Sequence, residues 1–257
     1  MDLYVKLMGG LGNQMFQYAK GLSALEQAPQ YTNLVLDCSF YEGQERKIIK
    51  HGLTGRGFDL DIFNLKYKRC DVAPIGGHIL EGWFQSLEDF DNVIEQVREQ
   101  FTFASAFPDN IEEMRSFIKN TTNSVSIHVR RGDFITNPTA FAHNEHMGSE
   151  YYRKAMDVME DKYDNLTYFV FSEDMEWCRK NINNDKHSVI FIGDEFAGDR
   201  DTGHFSLMQQ CENHIIANST YSWWAAFLGQ SKVTVGPKKW FTNESDSETM
   251  LDNWIKL

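Results

Sequence analysis

Val125-Ser-Ile-His-Val-Arg-Arg-Gly-Asp133 is the stretch on which the fold turns. Val125, Ile127 and Val129 alternate along a strand and point to one face, while His128 and Arg130 share the other near its carboxyl end. Four more short apolar runs follow, Thr167–Phe171, Ser188–Ile192, His214–Ala217 and Lys232–Val235. Helical stretches separate them, at 149–162, 174–183, 202–211 and 219–230. This alternation is the βαβ signature of a parallel sheet covered on both faces.

Toward the amino terminus the same grammar continues. Tyr4–Met8 is a short apolar run ending in Gly9-Gly-Leu-Gly12, after which Asn13–Glu26 reads as a helix and Asn33–Asp37 as a strand. Residues 38–76 are irregular, broken by Gly43, Gly52, Gly55 and Gly57. Gly77–Glu81 reads as a strand, and two helical stretches follow at 88–101 and 109–119, with Pro108 opening the second. The polar, turn-forming Asn120–Ser124 marks a division between residues 1–120 and 121–257. The expected architecture is two α/β lobes facing each other across a cleft, with ligands outside the carboxyl ends of the strands. The last helix is expected to be able to pack back on the first lobe.

Composition narrows the function. The 257 residues carry 25 Lys+Arg against 37 Asp+Glu, a net charge of −12, which opposes nucleic acid as a partner. A local group of arginines can still hold an anionic small ligand. Cys38, Cys70, Cys178 and Cys211 are scattered without metal spacing and read as reduced core residues. The start lacks a signal-peptide pattern, and the longest apolar run, Trp223–Leu228, falls far short of the roughly 20 residues of a membrane span. The expectation is a cytoplasmic protein without a transmembrane segment.

Four places carry candidate chemistry. In Gly9–Gln17 a glycine-rich turn aims helix N–H groups at negative charge. Gly10 and Gly12 fit a dinucleotide fingerprint, and Asp37 ends the next strand, but Met15 occupies the third glycine position and obstructs close helix–strand packing. A tight turn and a ligand loop are both open readings, and Asn13 favours the ligand. In the second place, adjacent Arg130 and Arg131 at a strand end suit a diphosphate, because a planar fork donates in pairs. An internal Arg131–Asp133 ion pair accounts for one of them and leaves Arg130 for a ligand.

In the third, Ser172, Glu173 and Asp174 either read the N–H donors of guanine or cap the following helix. In the fourth, Asn218, Ser219, Thr220 and Ser222 open a buried helix and make an anion site, against the alternative of a simple serine cap. Asp59-Leu-Asp61 matches the DxD pattern by which many sugar transferases hold a divalent metal, but it reads better as a solvated turn. His143, Glu145 and His146 are too loosely spaced to form a convincing metal site. No metal is expected.

Taken together, Gly9–Ala19, Gly82-Trp-Phe-Gln-Ser86, His128–Asp133, Phe171–Cys178 and Asn218–Trp224 resemble, in this order, the motifs of the bacterial α-1,2-fucosyltransferases, glycosyltransferase family 11. The resemblance covers nearly the whole chain. It implies a GT-B type fold of two Rossmann-like α/β lobes, GDP-L-fucose as donor, inversion at the sugar carbon and no metal or other cofactor. It implies Arg130 on the diphosphate, His128 near the nucleoside and Asn13 at the reacting centre, with Asp133, Glu145 and His143 as candidate bases. Residues 1–120 would then be the acceptor side, with Gln14, Trp83, Gln85 and His143. Residues 121–257 would bind the donor through His128, Arg131, Ser172, Glu173, Asp174, Asn218, Ser219, Thr220 and Ser222. The implied acceptor is a terminal β-galactoside on an oligosaccharide or lipid-linked glycan, compatible with a peripheral hold on the inner face of the membrane. An NAD-dependent oxidoreductase and a non-catalytic glycan- or nucleotide-binding module are the competing readings, disfavoured by Met15 and by the intact Arg130 and Asn13 respectively.

Overall fold

Four parallel strands build the first sheet: β1 (Asp2–Lys6), β2 (Asn33–Asp37), β3 (Lys68–Cys70) and β4 (His78–Leu80), in the order β3-β2-β1-β4. The computed structural model describes residues 1–42, 57–131, 147–229, 231–242 and 248–257. Leu3, Val5 and Leu7 are buried along and beyond β1, and Leu34, Val35 and Leu36 along β2. Helix α1 (Leu11–Gln27) lies against them. Its close approach is made at Gly21, where an added Cβ would come within 2.7 Å of Leu34 Cδ1 and 2.9 Å of Val5 Cγ2. The expected single helix over 88–101 is instead two 3-10 turns, Leu87–Asp89 and Asp91–Val93, leading into α2 (Ile94–Gln100). Phe90 breaks the run: its backbone is non-helical, and its ring is buried in T-shaped contact with Phe16.

The second sheet has six parallel strands, β5 (Ser124–Val129), β6 (Thr167–Ser172), β7 (Ser188–Phe191), β8 (Asn213–Ile215), β9 (Val233–Gly236) and β10 (Ile255–Lys256), ordered β10-β9-β8-β5-β6-β7. The accompanying helices are α3 (Asp109–Lys119), α4 (Ser149–Glu160), α5 (Met175–Asn181), α6 (Thr202–Gln209) and α7 (Thr220–Leu228). Val125, Ile127 and Val129 share one face and pack on Tyr152, Ala155, Met156 and Met159 of α4. On the other face Phe169 meets Phe117 of α3, and Phe171 meets His204 of α6. Both faces of β5 are therefore buried, as a parallel sheet requires.

The chain divides into two compact units, Met1–Ala106 and Phe107–Leu257. The boundary differs from the one expected after residue 120. Helix α3 is amphipathic, and Ile111 and Ile118 are buried. Asn110 Nδ2 donates to Glu195 O at 2.8 Å, tying α3 to the second unit. The end of the chain also differs from expectation: it adds β10, pairing Ile255 with Val235, and no helix follows α7 among the described residues. All four cysteines are free thiols.

Candidate functional site

Strand order reverses beside β5 in the second sheet, since β6 and β7 lie to one side and β8, β9 and β10 to the other. Such a switch point opens a crevice at the carboxyl ends, where open α/β sheets bind ligands. Here β5 delivers His128, Arg130 and Arg131, and β8 delivers Asn218 and Ser219 at the start of α7.

His128 is 6% exposed, and its ring stands 5.8 Å from that of Tyr221. Burial first, then the Arg130 charge and His204, push its pKa down to about 3. The imidazole is therefore neutral near pH 7. Its Nδ1 is buried without a hydrogen-bond partner among the described residues. An orphaned polar atom in that position is costly unless a ligand or water meets it. Arg130 Nη1 lies 3.3 Å from Glu173 Oε1, and both side chains keep partial exposure.

The neighbouring residues also hold one another in place. Arg131 pairs with Asp174, its Nε 3.0 Å from Asp174 Oδ2, and the expected partner Asp133 lies outside the described residues. Its guanidinium also covers the Trp177 ring. Asp174 caps α5, accepting from Trp177 N at 3.1 Å. The Arg131 hydrogen bond, and then the Trp177 amide, hold its carboxyl below the ordinary value. Ser172 donates to Val129 O at 2.9 Å and accepts from Asp174 N at 3.0 Å, so its hydroxyl closes the β5–β6 edge. Glu173 accepts from the Arg131 amide at 3.0 Å while facing Arg130. Of this acidic group it is the member that pairs with Arg130.

At α7 the simple serine cap does not form. Ser219 occupies the N-cap position with extended backbone and makes no side-chain cap hydrogen bond, while Ser222 donates back to Ser219 O at 3.2 Å. Ser219 and Thr220 thus stand, partly exposed, at a helix start with uncapped N–H groups. Asn218 is buried and anchors to Trp240 O at 2.9 Å, an inward role. The helix behind is apolar all round, with Trp223, Trp224 and Phe227 buried.

The first sheet has its own switch point between β1 and β4. Gly9 has φ +77°, and a Cβ there would fall 2.5 Å from Asn13 Nδ2, so glycine is what lets Asn13 fold back over the turn. Gln85 Nε2 donates to Asn13 Oδ1 at 2.9 Å. Trp83 is 50% exposed beside them. Gln14 does not face outward as an acceptor contact should. It is buried and bonded to Gly57 O at 2.8 Å, Gly9 O at 3.2 Å and Asp59 N at 2.9 Å. These bonds tie Asp59-Leu-Asp61 to α1 as a turn, and the 3-10 piece Leu60–Ile62 begins there. Asp37, the would-be ribose carboxylate, closes its own loop by accepting from Ser39 N at 2.8 Å and Ala73 N at 3.2 Å. Met15 is fully buried. The features of a dinucleotide site are thus occupied by packing.

Sequence reasoning missed Gln17, buried in α1, and the packing of Tyr221 on His128. The available signal was an amide in the stripe otherwise formed by Met15, Phe16, Tyr18 and Ala19. Asp133, His143, Glu145 and His146 lie outside the described residues. Among the described residues no three His, Cys, Asp or Glu stand together as metal ligands. No described helix is long and apolar enough to cross a membrane.

The sequence profile described as glycosyl transferase family 11 matches residues 61–257. The O-antigen biosynthesis glycosyltransferase WbnK of Escherichia coli is 28% identical, over 99% of this chain and all of its own. An α-1,2-colitosyltransferase of Escherichia coli is 29% identical, over 98% of this chain and 97% of its own. The galactoside α-(1,2)-fucosyltransferase 1 of Sus scrofa is 32% identical over 59% of this chain and 44% of its own. Among solved structures, an α-1,6-fucosyltransferase, NodZ, soaked with GDP-fucose matches 88% of this chain and 92% of its own, with 11% identity and a TM-score of 0.50. That likeness bears on the fold alone, two parallel α/β units of the GT-B type.

Proposed function

The chain belongs to glycosyl transferase family 11, and from that premise we propose that it transfers L-fucose from GDP-L-fucose, with inversion, to the 2-hydroxyl of a terminal β-galactoside on a surface-polysaccharide or lipopolysaccharide type of acceptor. The observation that carries the reading is the pairing at one switch point of Arg130 with an uncapped α7 start and a neutral His128 whose buried Nδ1 has no hydrogen-bond partner among the described residues.

The acceptor hydroxyl attacks the fucose carbon, the bond to the β-phosphate oxygen breaks, and charge gathers on departing GDP. Arg130, the N–H groups of α7, Ser219 and Thr220 stabilise that charge without a metal. His128 meets the nucleoside as a neutral hydrogen-bonding group. In the first unit Asn13, oriented by Gln85, addresses the reacting hydroxyl or the fucose, and Trp83 offers its exposed indole to the acceptor. Asp133, Glu145 and His143 are the candidates to take the proton. Lipid-linked acceptors would bring the protein to the inner membrane face.

Isothermal titration with GDP, GDP-fucose, GDP-mannose and NAD tests the donor, and an acceptor array with labelled GDP-fucose tests the transfer. Binding of GDP and GDP-fucose with no NAD binding is expected. Tight NAD binding or the absence of any transfer overturns the reading. The near full-length similarity to an α-1,2-colitosyltransferase favours colitosyl transfer as the second reading. A direct competition between the two donors separates them.

A further inference from the structure

We infer that Gln17 is a positioning residue for transfer: its buried amide sets the spacing of the two carboxyl-end loops of the first sheet and, through them, the Asn13–Gln85 pair. The inference rests on the role proposed above for Asn13. Gln17 is fully buried on α1. Its Oε1 accepts from Met8 N at 2.9 Å, and its Nε2 donates to Gly82 O at 3.1 Å. Met8 leads out of β1 and Gly82 out of β4, the two strands at the switch point. One side chain thus ties both lips of the crevice.

Packing alone does not ask for an amide there. The neighbours Met15, Phe16, Tyr18 and Ala19 are all fully buried, and a methionine of similar volume would fill the place. A buried amide is tolerated because both its groups are bonded. What it holds is a strained turn. Phe84 has φ +52°, a left-handed conformation that a bulky L residue keeps only when its surroundings impose it. A Cβ at Gly82 would meet the Phe84 ring at 2.9 Å. This turn carries Gln85 to Asn13 Oδ1 and leaves Trp83 half exposed. On the other lip Asn13 packs on Gly9. The Asn13 carboxamide is therefore oriented by two loops whose separation Gln17 determines.

The test is a cycle of Gln17→Met, Asn13→Ala and the double variant, read in transfer of labelled fucose and in backbone hydrogen exchange. Gln17→Met should lower kcat tenfold or more, leave GDP affinity within twofold, and speed exchange in segments 8–14 and 82–86. In the Asn13→Ala background it should lower kcat no further. A folded Gln17→Met protein with wild-type kcat, or with unchanged exchange in both segments, overturns the inference. An equal loss in the Asn13→Ala background also overturns it while leaving the role of Asn13 intact. Wild-type kcat in Asn13→Ala alone overturns the premise and the inference with it. Should Gln17→Met fail to fold, Gln85→Met breaks the same pair from the far side and must show the same cycle. Gln17→Glu, which keeps the acceptor for Met8 and loses the donor to Gly82, should fall between wild type and Gln17→Met.

Discussion

The Arg131 guanidinium carbon stands 4.3 Å from the centre of the Trp177 ring. With Asp174 against its Nε, this arginine is held by two side chains of its own unit, while the adjacent Arg130 lies against Glu173. Two neighbouring arginines therefore have separable effects. Arg130→Ala should all but abolish transfer, and Arg130→Lys should recover little, because lysine keeps the charge but loses the paired-donor geometry. Arg131→Ala should lower unfolding free energy by about 1 kcal/mol through the lost ring contact and partly exposed ion pair. Steady-state kinetics with denaturant titrations check both; an Arg130→Lys enzyme within a few-fold of wild type would show that charge alone suffices.

Donor and acceptor roles should separate between the units. Ser219→Ala should weaken GDP binding by about 1 kcal/mol, the value of one hydrogen bond. Asn13→Ala should leave GDP affinity nearly unchanged and cut kcat, the pattern of an interaction made mainly in the transition state. Calorimetry and saturation kinetics on the two variants provide the check. Loss of GDP binding in Asn13→Ala with kcat preserved would place the nucleotide on the glycine loop.

Acid should unfold the protein in a histidine-dependent way. Burial pushes both His128 and His214 down to about 3 from an ordinary 6.5, and His214 Nδ1 is paired with Ser126 Oγ at 2.7 Å. The unfolded chain takes up these protons as pH falls through 6.5, and the folded chain does not until about 3. Stability from the neutral imidazoles is thus complete above 6.5 and lost progressively below it, at about 1.4 kcal/mol per pH unit for each histidine once its unfolded form is protonated. Urea midpoints between pH 7 and 5 measure the slope. His214→Gln should halve it, whatever its own cost at pH 7.

Transfer should proceed in EDTA. The DxD sequence Asp59-Leu-Asp61 is a turn fastened to Gln14, and in the proposed mechanism the charge on GDP falls to Arg130 and α7. Activity lost in EDTA and restored by magnesium or manganese would refute this.

Gly21→Ala should destabilise the first unit by about 1–3 kcal/mol, because overpacking against Leu34 and Val5 outweighs the helix preference of alanine. A thermal melt reports it. An unchanged melting temperature would mean that α1 can shift off the sheet.

Local pattern alone determined much of this protein. The strand Asn33–Asp37 and the helix Asp109–Lys119 were legible to the residue, since apolar period and turn residues act between near neighbours. The placement of the arginine pair at a strand end and of the hydroxyls at a helix start was legible too, because both follow from the local pattern. Tertiary structure decided everything that depends on a distant partner. β3, Lys68-Arg-Cys70, has no apolar run and is a strand because β2 pairs with it. Arg131 met Asp174, Gln14 turned inward to residues 57–59, and Gln17 joined Met8 to Gly82. Each of these depends on which atoms meet between elements 9 to 65 positions apart in the chain. An amide or guanidinium can satisfy its hydrogen bonds in many ways, and only the packed sheet selects one.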